Sequence, residues 1–268
     1  AEHDVSCTTA AHVLAAADPA KYRITPIGIS TDGQWAIADQ AVAALASGGG
    51  RLPAQLDPTG SDVSPTPILS AASAEPATTV VMPLLHGPMG EDGTIQGLLE
   101  LANLPYVGTG VLGSAVAMDK AMAKQVVAAA GIPQARYRAF AEHELTPSLA
   151  TTIVDDLGLP VFVKPANMGS SVGISKARDR DQLLAGLQEA TRHDSRLVVE
   201  RGVAARELEC AVLGRQQLKA SVVGEISFDA DWYDYDTKYT DGCSQNTRGL
   251  PSRHPGGRGS GIFDLGSC

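Results

Sequence analysis

The sequence predicts an α/β domain over residues 1–130 followed by an α+β domain over residues 131–242. Two observations carry that reading. In the first half, β-branched or apolar runs alternate with helix-like stretches, as where strands are linked by helices. In the second half, strand-like runs follow one another through short links, which suits antiparallel pairing. Gly131-Ile132-Pro133 breaks the pattern between the halves and marks a boundary near residues 131–144.

The elements are expected in this order. A helix covers 6–17, with Ser6 as N-cap of an Ala-rich run. A strand over 22–29 closes on the Thr31-Asp32-Gly33 turn. Residues 47–76, with Gly48-Gly49-Gly50 and several prolines, read as a loop. The run Val80-Val81-Met82-Pro83-Leu84-Leu85 reads as a strand buried on both faces. Helices over 93–102 and 117–130 follow. The second half predicts a short strand at 136–140 and a helix at 147–157. A strand at 160–165, a Gly/Ser loop and a helix at 179–191 come next. Strands at 197–201, 207–213 and 219–225 complete it. Beyond Gly242 the chain is dense in Gly, Ser, Arg and Pro, so residues 243–268 read as a disordered tail.

Composition excludes several classes. Of 268 residues, 44% are hydrophobic and 19% charged, enough for a core and too apolar for wholesale disorder. A net charge of −9 argues against a nucleic-acid surface. No apolar run is long enough to span a membrane, and residues 1–18 lack a signal-peptide pattern. Cys7, Cys210, Cys243 and Cys268 have no metal-ligand spacing and read as buried or free thiols, which suits a cytoplasmic protein.

The most informative stretch is Val161-Phe162-Val163-Lys164-Pro165-Ala166-Asn167-Met168-Gly169-Ser170-Ser171-Val172-Gly173. A strand delivers Lys164 to a loop of small residues whose backbone N–H groups are able to approach phosphate oxygens. It lacks the GxxxxGK[ST] spacing of a Walker loop, and a flexible hairpin tip with a solvated lysine explains it about as well. Lys120, after Met118-Asp119, stands where a helix begins; a lone surface lysine is the plainer reading. Glu200-Arg201-Gly202-Val203 with Glu207 suits an adenine edge and a ribose, or simply a charged exposed strand. His86-Gly87-Pro88-Met89-Gly90-Glu91-Asp92-Gly93 follows a strand-like run, where α/β sheets bind ligands, unless its glycines serve the turn alone. Residues 231–239, Asp-Trp-Tyr-Asp-Tyr-Asp-Thr-Lys-Tyr, read as a lid or as an exposed loop.

Together, and in this order, Glu2-His3-Asp4-Val5-Ser6, the His86 to Gly93 turn, Met118-Asp119-Lys120, the Lys164 to Gly173 loop, Val199-Glu200-Arg201-Gly202 with Arg206-Glu207-Leu208-Glu209, and Tyr233 to Tyr239 resemble the D-alanine–D-alanine ligases of the ATP-grasp superfamily. The resemblance covers about residues 1–242. It implies ATP-dependent joining of two D-alanines through D-alanyl phosphate, a step in peptidoglycan synthesis, with ATP and Mg²⁺ required and a homodimer as the assembly. It makes residues 131–242 the central ATP-grasp domain. Lys120 and Lys164 match phosphate-contacting lysines, and Ser170, Ser171 and Val172 the closing loop. Glu200, Arg201 and Val203 match the adenine linker, Arg201 standing where a lysine is common. Glu207 matches the ribose carboxylate, and Lys238 lies on the lid. Glu2 matches the acid that holds the first D-alanine's ammonium, with His86 close by. Glu2, Ser170 and Tyr239 are linked in the family and form the expected catalytic group.

The chain departs from the family pattern at both ends. The family has an apolar strand and a glycine turn before the acid, whereas here Glu2 follows Ala1. The family's C-terminal ATP-grasp domain, with an arginine and the Mg²⁺ ligands, is expected to be largely missing. After Tyr239 only Asp241, Asp264 and the terminal carboxylate remain, so no metal ligands are assigned. A shifted reading frame or a truncated gene product beyond about Gly242 is the expected origin of such a tail. Two other readings stay open: a non-catalytic ATP-binding or inert fragment, and a ligase joining D-alanine to D-lactate or D-serine.

Overall fold

The computed structural model describes residues 2–18, 20–46, 57, 59–63, 65, 69, 70, 72, 79–228 and 244–247. Helix α1 (His3–Ala16) starts three residues before the expected Ser6. Ser6 is therefore not the N-cap: its hydroxyl donates back to the Glu2 carbonyl, 3.1 Å away, inside the first turn. Cys7, Ala11 and Leu14 recur at helical spacing and are buried. Ala11 and Leu14 pack on Ala38 and Ala41. Strands β1 (Ile27–Ile29), β2 (Trp35–Ala38) and β3 (Gly60–Asp62) form an antiparallel sheet in that order, and α2 (Asp39–Ala46) follows β2 directly. β1 and β2 join through a tight turn in which Gly33 has φ +84°, a conformation that suits glycine. The expected strand at 22–29 is thus short, and the loop expected at 47–76 contributes β3.

The run from Val80 to Leu85 is not a doubly buried strand. Its only pairing among the described residues is an isolated parallel bridge between Val81 and Tyr106, and Val80 and Met82 are 61% and 50% exposed. Pro83 has no N–H with which to extend the ladder. Helices α3 (Thr94–Leu101), α4 (Val111–Met118) and α5 (Lys120–Ala129) follow. Asp119 interrupts the run between α4 and α5 in an extended conformation, and its carboxylate caps α5 by accepting from Met122 N at 2.9 Å.

The second half centres on a four-stranded antiparallel sheet in the order β4 (Tyr137–Ala141), β7 (Arg196–Arg201), β5 (Val161–Pro165), β6 (Ser175–Ala177). Helices α6 (Pro147–Leu157) and α7 (Arg180–Thr191) cover one face. Thr146 and Asp179 cap them through side-chain oxygens, and Pro147 stands in the first turn of α6, where its missing N–H costs nothing. Ile153, Leu157, Val161, Val163, Leu183, Leu187, Leu197 and Val199 form the core between sheet and helices. Each such side chain contributes about 1.5–3 kcal/mol when fully buried. At Gly186 the helix lies so close that an added Cβ would come within 2.3 Å of Ser175 Oγ. Because strand side chains alternate, burying Val161, Val163 and Pro165 turns Phe162 and Lys164 to the opposite face.

Beyond β7, the expected strands at 207–213 and 219–225 each divide. β8 (Glu207–Glu209) pairs with β11 (Gly224–Phe228), while β9 (Val212–Leu213) and β10 (Lys219–Ala220) form a separate exposed hairpin. At the break Ser221 exchanges bonds with Ala211 through its backbone N–H and its hydroxyl. Residues 244–247 depart from the expected disorder. They form β12 (Ser244–Thr247), antiparallel to β11. An edge strand needs only backbone pairing, so its polar sequence is no obstacle.

Candidate active site

The site is built where the first turn of α1, the His86 turn and the loop after β5 converge on one carboxylate. Glu2 precedes α1 and is only 2% exposed. Its Oε2 accepts a short hydrogen bond from Ser170 Oγ, while Oε1 is buried with no hydrogen-bond partner. A buried carboxylate oxygen left unpaired is costly, and a cationic donor placed beside it would satisfy it. Two glycines wall this oxygen. A Cβ at Gly87 or Gly169 would lie 2.6 or 2.8 Å from Glu2 Oε1, so any side chain there would press on the carboxylate.

His86 is held against α1 at two points. Its backbone N–H donates to Ser6 Oγ at 2.9 Å, and its Nε2 is 2.9 Å from Thr9 Oγ1. Glu91 comes back into the same corner by accepting from Gly87 N at 2.6 Å. One ligand atom each from Glu2, His86 and Glu91 lies within 4.8 Å of the others. Two carboxylates and an imidazole are not the all-oxygen octahedral set that Mg²⁺ takes. Among the described residues no other such group occurs, so these residues provide no Mg²⁺ cradle.

The cationic half of the site faces the same loop. Lys120, the first residue of α5, donates from Nζ to Met168 O, and its backbone N–H donates to Ala166 O at 2.9 Å. Burial, and then the neighbouring Lys164, push the Lys120 ammonium down to about 8 against the opposing pull of Asp194, Asp119 and Glu2. Two neighbouring lysines, one of them largely buried, are a place where an anion would be stabilised. Between Lys164 and the next strand the chain turns twice, through Val172 N to Gly169 O at 3.0 Å and Ile174 N to Ser171 O at 3.2 Å. Ser170 and Ser171 both have positive φ, +47° and +61°, uncommon for residues with a Cβ and concentrated at ligand-clamping sites.

Lys164 Nζ is 2.5 Å from Glu200 Oε2, and Lys124 takes the other oxygen. Burial alone would raise the Glu200 carboxyl, but Lys164 and Lys124 prevail and hold it below the usual range. Arg201 ends β7. Gly202 N–H then donates to Pro160 O at 2.8 Å, setting the start of the linker. Val203 is 63% exposed on that linker, and Glu207 is exposed at the start of β8.

The structure thus joins Glu2 to Ser170 and sets His86 beside it, holds Lys120 against the loop at Met168, and pairs Lys164 with Glu200. Lys238 and Tyr239 lie outside the described residues. So do Cys243 and Cys268, while Cys7 is buried and Cys210 exposed, both free. Sequence reasoning did not single out Ser6, Thr9, Glu91 or Lys124 as site residues. The i, i+3 spacing of Ser6 and Thr9 on α1 and the i, i+4 spacing of Lys120 and Lys124 on α5 were the available signals.

The family model described as D-ala D-ala ligase N-terminus matches residues 1–109, and that described as D-ala D-ala ligase C-terminus matches residues 126–251. The chain belongs to the D-alanine–D-alanine ligase family. A relative from Synechococcus sp. strain CC9311, "D-alanine--D-alanine ligase", is 54% identical over 253 residues, 91% of this chain and 71% of that protein. The D-alanine–D-alanine ligase structure from Coxiella burnetii is 35% identical with a TM-score of 0.67, covering 84% of this chain and 67% of that one. The VanG D-Ala:D-Ser ligase from Enterococcus faecalis is 30% identical with a TM-score of 0.70, covering 95% of this chain and 74% of that one. These solved ligases share the ATP-grasp arrangement of this chain. No helix among the described residues is long and apolar enough to cross a membrane.

Proposed function

We propose that this chain is a D-alanine–D-alanine ligase, joining two D-alanines at the expense of ATP to make a peptidoglycan precursor. The observation that carries this is the pairing of Glu2, a buried carboxylate with an unpartnered oxygen, with Lys120 at the start of α5 and Lys164 on β5, the strand that leads into the small-residue loop. The first suits an amine and the second a phosphate chain. An amino acid bound between them presents its carboxylate toward the phosphates.

In this reading Glu2 binds the ammonium of the first D-alanine, with His86 beside it. ATP, when bound, supplies the phosphoryl group that makes the carboxylate electrophilic. Lys120 and Lys164 neutralise phosphate charge, and Ser170, Ser171 and Val172 cover the phosphates from the loop. Glu200, Arg201 and Val203 line the adenine, and Glu207 accepts from the ribose hydroxyls. Lys238 and Tyr239 match the family's lid segment, whose closure would exclude the water that hydrolyses acyl phosphates. Mg²⁺ is required by the family's chemistry, but the described residues do not fit it and no step here rests on it.

The test is phosphate release from ATP in Mg²⁺ with and without D-alanine, with the dipeptide product measured alongside. D-alanine-dependent release with D-alanyl-D-alanine formed is the expected result. Release dependent on D-serine or D-lactate as second substrate would move the chain to the variant ligases. No amino-acid-dependent release would overturn the reading.

A further inference from the structure

Lys124 is used by nothing in the reaction above, yet it is among the most firmly held lysines in the site. It lies one turn after Lys120 on α5, so the two project from one face of the helix. Its Nζ donates to Glu200 Oε1, lies 3.5 Å from Gln134 Oε1, and sits 5.0 Å from the centroid of the Tyr137 ring. Gln134 returns a bond from Nε2 to the Lys124 carbonyl at 2.7 Å. The Lys124 and Glu200 side chains are 16% and 15% exposed.

Glu200 therefore has two lysines on its two oxygens, and they have different duties. Lys164 rises from β5 beside the Gly169 to Gly173 loop, and a lysine that serves a phosphate must loosen its hold on Glu200. A largely buried carboxylate that loses its sole cation is strongly penalised, and that penalty would keep Lys164 where it is. A second lysine, fixed by a ring and an amide, removes the conflict.

We propose that Lys124 is a positioning residue for nucleotide binding: it holds the Glu200 side chain in place so that Lys164 is released to the phosphates. This rests on the ATP-binding reading above. Lys124 touches no phosphate itself and acts through Glu200 and Lys164.

The test compares Lys124→Met, Lys124→Gln and Lys124→Arg with the parent chain in steady-state kinetics and direct ATP titration. For Met and Gln the expected result is a KM for ATP raised about tenfold or more, a titrated ATP affinity lowered to match, and a KM for D-alanine within about twofold of the parent. Arg, which keeps the charge, is expected to recover most of the affinity. Equal loss toward both substrates, unchanged ATP affinity in folded Met and Gln variants, or failure of Gln to fold would each overturn the proposal and leave Lys124 without this role. The parent titration separates the two failures: a parent that binds no ATP removes the nucleotide reading itself. A parent that binds ATP, beside variants that bind equally well, removes only the role of Lys124.

Discussion

Glu2 and Ser170, 168 positions apart in sequence, share a short hydrogen bond from Ser170 Oγ to Glu2 Oε2. The contact ties the start of α1 to the loop after β5, and so joins the Glu2 side of the site to the loop that Lys120 contacts. It leaves Oε1 as the one open acceptor of a buried carboxylate. Replacing Glu2 by Gln keeps the shape but removes the charge that an ammonium needs. Glu2→Gln is expected to raise the KM for the first D-alanine by about tenfold or more with little change in ATP affinity. Steady-state kinetics with D-alanine varied over a wide range check this, and a parent-like KM would remove Glu2 from amine binding.

The wall of the same pocket offers a steric test. A Cβ on Gly169 would sit 2.8 Å from Glu2 Oε1 and 3.3 Å from Oε2. Overpacking of this kind costs about 1–3 kcal/mol. Gly169→Ala is expected to weaken D-alanine by about tenfold while the protein stays folded. A melting curve paired with substrate titration separates this from general destabilisation.

Lys120 makes a pH prediction. Its ammonium loses its proton at about 8 in the folded chain, against the ordinary 10.5 once unfolded. Between those values the unfolded chain holds more protons, so this group's contribution to stability rises with pH there and is flat below it. A phosphate placed beside Lys120 restores its proton affinity, so ATP binding takes up a proton above about pH 8 and much less near pH 6.5. Calorimetry at both pH values, in buffers of different ionisation heat, measures that uptake. Equal uptake at the two values, or full uptake in Lys120→Met, would contradict it.

Asp119 is predicted to matter chiefly as a cap. It accepts from Met122 N at the start of α5 and from Arg196 Nη1 at 2.5 Å, but the Arg196 side chain is 46% exposed and the ion pair is discounted for solvent screening. Asp119→Ala is expected to cost about 1–2 kcal/mol, and Asp119→Asn, which still caps, well under half of that. Thermal unfolding of the two variants decides it, and equal losses would shift the weight to the ion pair.

Much of the second half was legible in the sequence because local signals agreed there. Thr146 and Asp179 cap helices whose apolar residues recur at helical spacing, and Val161-Phe162-Val163-Lys164 alternates as a half-buried strand does. The first half was harder. The run from Val80 to Leu85 has the composition of a buried strand, yet only Val81 finds a bridge, because pairing depends on a neighbour that composition does not name. Ser6 has the chemistry of an N-cap and instead sits inside α1, where its hydroxyl serves Glu2 and His86.

What the sequence determined by itself is the order of the motifs, and with it the family and the residue types at the site: a carboxylate at Glu2, lysines at Lys120 and Lys164, and small residues from Gly169 to Gly173. Those follow from side-chain chemistry and local backbone preference, which adjacent residues carry. Only the tertiary structure decided which oxygen of Glu2 is left without a partner, that Gly87 and Gly169 wall it, and that Lys124 shares Glu200 with Lys164. Each of these is a contact across many tens of residues, set by how helix, loop and sheet pack, and no short-range pattern encodes such distances.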